Sequence, residues 1–133
     1  MSRRSVLTGA AAFAGVAALP QYLSARPNAG RAIAHVVVDE RVPHYAAFAA
    51  GFSGSRIHAV SAVDDLCNRW YTQLRRQVLA DGAAIGGLTL WMDYVVMRSC
   101  AAEIGYVRTS YAEHRSAAGH VHGVSWVFSP RSN

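Results

Sequence analysis

Residues 83 to 88 read Ala83-Ala84-Ile85-Gly86-Gly87-Leu88, and the fold turns on whether they form a strand or a turn. As a short apolar run between two helical segments they make a buried third strand. As a Gly-rich connection they simply join two helices. With a strand here, strands and helices alternate along the chain and the flanking helices run parallel. With a turn, the same helices form an antiparallel pair.

Upstream, Ala32 to Asp39 is a β-branched apolar run, as expected of a buried strand. Pro43 stands where a first-turn helix proline belongs, and His44 to Phe52 reads as a short helix closed by Gly51 and Gly54. Arg56 to Ser61 reads as a second strand. Ser61 and Asp64 have the spacing of a capping box. The helix they open carries Val63, Leu66, Trp70, Leu74 and Val78 as a core-facing stripe and ends at Asp81-Gly82. Downstream, Thr89 caps a third helix, Leu90 to Ile104, which Gly105 terminates. Leu90, Trp91, Tyr94, Val95, Val96 and Met97 predict that this helix is largely buried. Tyr106 to His114 and His120 to Ser129 flank Ser116 to Gly119, a hairpin signal. The expected fold is α/β: a small, mostly parallel sheet with flanking helices, ending in an antiparallel C-terminal hairpin.

Composition fits one small domain. The chain has 133 residues, 52% of them hydrophobic and 16% charged, which is too apolar for a disordered chain. All 13 basic residues are arginine, and the formal charge is +5. From Arg26 onward, 11 arginines face 8 acids and leave +3, too mild a balance to indicate a nucleic-acid partner.

Ser2, Arg3 and Arg4 precede Val6-Leu7 and an unbroken, weakly apolar stretch from Gly9 to Leu19. This resembles a bacterial twin-arginine (Tat) signal, with Val6 and Thr8 where such motifs commonly have Phe and Lys. The apolar run from Val6 to Leu19 covers about 21 Å as a helix. A bilayer core is about 30 Å thick, so a stable membrane span is not expected. Ala18 and Ala25 both precede possible cleavage sites. The more polar exit from Gln21 to Ala25 favours the second, giving a signal peptide over 1–25 and one α/β domain over 26–133. The resemblance implies export to the periplasm or beyond by the Tat translocase, and cargo that folds before crossing, binds a cofactor inside the cell, or travels with a partner that does.

Ala84 to Thr89, with the ending Val124-Ser125-Trp126-Val127-Phe128-Ser129-Pro130, resembles a set of small exported bacterial proteins of unassigned activity. That resemblance favours the strand reading of residues 84 to 89. It carries over no catalytic residue, and it leaves any cofactor open.

Candidate chemistry gathers in three places. In open α/β sheets ligands bind beyond the carboxyl ends of the strands. That edge would hold Asp39 and Glu40, then Ser61, Asp64 and Asp65, then Gly86, Gly87 and Thr89. The carboxylates suit a hard cation and the helix starts suit an anion, but the same residues also serve as caps and loop residues. At the hairpin, a regular turn places Arg115 opposite His120 and Glu113 opposite His122. His120, His122 and Glu113 then form a two-histidine, one-carboxylate set open to Zn²⁺, Cu²⁺ or Fe²⁺, or else a solvated polar tip. Cys67 and Cys100 can form a disulfide in an oxidising compartment or serve as small buried apolar residues. A third strand puts the two sulfurs at different heights, so a disulfide argues for the turn.

The chain lacks a Gly-x-Ser-x-Gly elbow, a P-loop, a dinucleotide fingerprint and a Cys-x-x-Cys-His site. Their absence favours a non-catalytic accessory or binding protein of the periplasm, in the service of a partner such as a redox enzyme. Three tryptophans and ten Tyr and Phe residues could supply an apolar docking patch. The alternative is a small metal-binding protein or hydrolase-like enzyme using the strand-end carboxylates or the histidine cluster.

Overall fold

A computed structural model describes residues 32–132. The twin-arginine motif at Arg3 and Arg4 and both cleavage positions lie outside the described residues. Five strands form one sheet: β1 (Ile33–Asp39), β2 (Arg56–Val60), β3 (Ala84–Thr89), β4 (Tyr106–Arg115) and β5 (Val121–Pro130). Their spatial order is β2-β1-β3-β5-β4. The stretch at 84–89 is therefore a strand, at the centre of the sheet and buried at every position.

The sheet is mixed, which corrects the expectation of a mostly parallel one. β1 pairs in parallel with β2 and β3, whereas β5 pairs antiparallel with both β3 and β4. The C-terminal hairpin does not sit beyond a finished parallel sheet. Its second strand inserts next to β3, so half of the ladders are antiparallel.

Helix α1 (Tyr45–Ala50) follows β1. Helix α2 follows β2 and runs as α-helix over Leu66–Arg69, a π-helical turn over Trp70–Leu74, then α-helix over Arg75–Asp81. Helix α3 (Trp91–Glu103) joins β3 to β4. Right-handed crossovers put α2 and α3 on one face and α1 on the other, and the core divides accordingly. Leu66, Trp70, Leu74 and Val78 of α2, with Tyr94, Met97, Cys100 and Ala101 of α3, pack against Val37, Val60, Ile85, Trp126 and Phe128. On the opposite face Val42 and Phe48 pack against Val36, Val38, Leu88 and Val127.

The α2 stripe repeats every four residues. On a regular helix such a stripe drifts by about 40° per step, because four residues exceed the 3.6 of one turn. The wider π turn takes up part of that drift and keeps Trp70 and Leu74 against the sheet.

Several local expectations are corrected. Helix α2 begins four residues later than the capping-box reading: Asp65 is the N-cap and accepts from Asn68 N at 3.1 Å. Ser61 and Asp64 instead close a turn, with Ser61 N donating to Asp64 Oδ2 at 2.7 Å. Val63 belongs to that turn and is 93% exposed, so it is no part of the core stripe. Pro43 precedes α1 without entering it, and His44 occupies the N-cap with φ 66°. Thr89 does not cap α3. It ends β3, and Leu90 takes the N-cap position without a side-chain hydrogen bond.

Trp126 lies over Gly87, where an added Cβ would come within 2.3 Å of the indole ring. That contact explains why a small residue sits at the middle of the central strand. No helix among the described residues is long and apolar enough to cross a membrane.

Candidate functional site

The carboxyl ends of β1, β2 and β3 face one way, and the β4–β5 turn emerges at the same edge because β4 runs parallel to β3. Asp39 ends β1 fully buried. Arg41 holds it three ways: backbone N to Oδ1 at 2.8 Å, Nε to Oδ1 at 2.9 Å, and Nη2 to Oδ2 at 2.7 Å. Burial pushes the Asp39 carboxyl up, but the hydrogen bonds and charge of Arg41 together hold it below its ordinary value. The same guanidinium donates to Asp93 of α3 at 3.1 Å. Burial and the neighbouring Asp39 raise the Asp93 carboxyl. One arginine thus binds two carboxylates, each of which tightens its hold on the cation.

The expected grouping of Asp39 with Asp64 and Asp65 is not what the structure brings together. Asp64 bonds Ser61 and the Arg69 guanidinium, the latter at 3.1 Å, and Asp65 caps α2. Hydrogen bonds from Ser61 hold the Asp64 carboxyl below its usual range. Thr89 Oγ1 accepts from the buried Trp126 Nε1 at 3.1 Å and donates to Leu90 O at 3.0 Å. Its hydroxyl fixes the indole across the sheet.

Apolar side chains surround this charge cluster. Trp91 is 51% exposed, Met92 64% and Val121 39%, and Val63 stands almost free in the turn after β2. All four sit at the strand-carboxyl edge. The expectation that α3 is largely buried fails at this end: its buried stripe is Tyr94, Met97, Cys100 and Ala101, and Trp91 and Met92 of the first turn are exposed.

At the other end of β1 lies a chain of hydrogen bonds whose partners, His58 and Asp81, the sequence does not reveal, although a buried strand calls for a hydrogen-bonded His35. His58 Nε2 lies 3.1 Å from His35 Nδ1, and His35 Nε2 lies 2.5 Å from Asp81 Oδ2. A consistent donor pattern runs from His58 N–H to His35 and from His35 N–H to Asp81. Both imidazoles are buried while Asp81 is half-exposed at the C-terminus of α2. A carboxylate is unfavourable at that end of a helix dipole, and His35 supplies its compensation. Burial, then the charge of His35, Arg56 and Arg69, push His58 down to about 4. The signal was present in the strand alternation, which places His35 and Val37 on the face shared with His58 and Val60.

The hairpin set of His120, His122 and Glu113 is not formed. The ladder pairs Glu113 with Val124 and His114 with Gly123, then shifts so that Arg115 pairs with Val121. Glu113 turns to the α2–α3 face, where it bonds Tyr111 and Arg115, and His120 is exposed in the turn. Among the described residues no three His, Cys, Asp or Glu side chains could share a metal ion. The extra residue, His122, instead faces His114. Burial, then the His122 ring, push His114 down to about 4.

Cys67 and Cys100 are unbonded thiols, the first exposed and the second buried. They lie side by side. Burial, then the Cys67 thiol and Glu103, push Cys100 up to about 11. One turn along, Tyr71 of α2 donates to Glu103 of α3 at 2.7 Å. With the strand at 84–89 in place the cysteines carry no disulfide, but they are neighbours, which corrects the expected offset between the two sulfurs. The first turn of α2 lies beside the last turn of α3, a stagger that counting residues along the chain does not reveal.

Comparison of the chain with protein-family models, curated proteins and solved structures finds no match.

Proposed function

We propose that the chain is an exported, non-catalytic accessory protein that docks a larger protein partner at the strand-carboxyl edge. The observation that carries the reading is the exposure there of Trp91 and Met92, with Val63 and Val121 at the same edge. An exposed aromatic and a flexible thioether around an engaged ion-pair cluster match the anchor residues and polar surroundings of protein interfaces. Asp39 and Asp93 are already bound by Arg41 and Asp64 by Arg69, which favours docking over capture of a free cation. Export rests on the likeness of Ser2, Arg3, Arg4 and the apolar run to a twin-arginine signal, and an exported redox enzyme is the partner class that this route suggests.

A photo-crosslinking residue placed at Trp91 tests the docking surface in the native host. It should couple the chain to one larger exported protein, and the same residue at Leu79, exposed on α2, should not. Equal coupling at both positions, or none at either, refutes the surface. The route is tested separately by Arg3→Lys with Arg4→Lys, which should leave the protein in the cytoplasm; unchanged delivery refutes Tat export.

A further inference from the structure

We propose that His114 and His122 form a two-imidazole binding site for a late first-row transition-metal cation, on the sheet face opposite α2 and α3. This inference is independent of the docking reading above.

The site arises from a bulge. β4 and β5 pair in order up to His114 and Gly123, and the next pair is Arg115 with Val121. His122 is left as the extra residue, so His122 and Gly123 together oppose His114. The alternation of faces breaks at this point, and His122 comes to lie beside His114 instead of Glu113.

The chemistry of the two rings is complementary to a metal. His114 is 5% exposed, and its Nε2 lies 3.1 Å from the Oγ of the fully buried Ser125. The contact with Ser125 fixes the ring orientation, and in the tautomer that donates Nε2–H to Ser125 it leaves Nδ1 as a bare lone pair, the arrangement that orients histidine ligands in metal sites. That Nδ1 is buried without a hydrogen-bond partner, and so is the Nδ1 of His122. With both rings in the Nε2–H tautomer the two lone pairs cannot bond each other, and each is a buried polar group left unmatched at a cost in stability. A cation that accepts both removes both penalties. Imidazole nitrogen selects late first-row metals, whereas Mg²⁺ and Ca²⁺ prefer oxygen. Arg115 does not oppose the cation, because its guanidinium is turned to Glu113 Oε1 at 2.7 Å and Gly119 O at 2.8 Å. With two side-chain ligands, the affinity belongs in the micromolar range and not in that of closed structural sites.

Ni²⁺ alone, titrated into the untagged chain by calorimetry and checked by native mass spectrometry, tests the proposal. One ion per chain is expected. His122→Gln and His114→Gln should each weaken binding at least about tenfold, while His120→Gln and Cys67→Ser should leave it unchanged. The His122 side chain makes no hydrogen bond among the described residues, so His122→Gln remains informative if His114→Gln does not fold. Binding that survives His122→Gln, binding lost equally in His120→Gln or Cys67→Ser, or no binding at millimolar Ni²⁺ overturns the site. The last result would mean that the two nitrogens share a water molecule.

Discussion

Gly86 and Gly87 are neighbours in sequence with opposite surroundings. A Cβ at Gly86 would meet Ile33 and Trp126 O at 3.4 Å, an ordinary contact, whereas at Gly87 it would enter the Trp126 ring. Gly87→Ala should therefore cost about 1–3 kcal/mol, the usual range for overpacking. Gly86→Ala should cost clearly less, with urea denaturation as the measure. Equal losses would contradict the packing described. His58 makes a second prediction at this scale. Its folded pKa lies near 4, below the ordinary value of 6.5. The unfolded chain then binds the proton first, and stability falls as pH drops from about 7 towards 4, by roughly 1–3 kcal/mol from this group. Denaturation midpoints at pH 7 and 4.5 should differ less in His58→Gln than in the wild type; an unchanged difference would contradict the assignment. Neither effect was legible in the sequence, because both depend on which strand lies beside which.

At the scale of elements, apolar periodicity and Gly punctuation place four strands and both long helices close to their observed positions, because they act locally, and leave residues 83–88 open between strand and turn. They fail at the starts of α2 and α3. Ser61 to Asp64 has capping-box spacing but closes a free turn, and the true cap, Asp65, carries the weaker pattern. Hydrophobicity alone predicts a buried Trp91, yet it is half-exposed in the first turn of α3. The hairpin shows how one residue can overturn a site. A regular register joins His120, His122 and Glu113, and the bulge at His122 separates them and brings in His114. The helix stagger that sets Cys67 beside Cys100 yields a further prediction. Oxidised glutathione should close a disulfide between them, the two thiols losing two hydrogens as two glutathione thiols are released. The protein mass should fall by about 2 Da, and Cys67→Ser should abolish the loss. An unchanged wild-type mass would contradict the contact.

Across the whole molecule, the α/β class was legible from the alternation of strand and helix, but the mixed sheet was not. Periodicity cannot reveal that β5 inserts between β3 and β4, because an antiparallel strand buried on both faces reads like a parallel one. The insertion brings the hairpin turn to the edge where β1, β2 and β3 end, and so assembles Val63, Trp91, Met92 and Val121 at one end of the sheet. Trp91→Ala should change stability by no more than about 0.5 kcal/mol, as for other exposed positions, so its effect on association can be read directly. Native mass spectrometry of the chain recovered from the periplasm of its host tests the central claim. A heteromer with the wild type and with Leu79→Ala, reduced to a bare monomer in Trp91→Ala, is the result predicted. A bare monomer in all three, or a heteromer indifferent to Trp91, would contradict it.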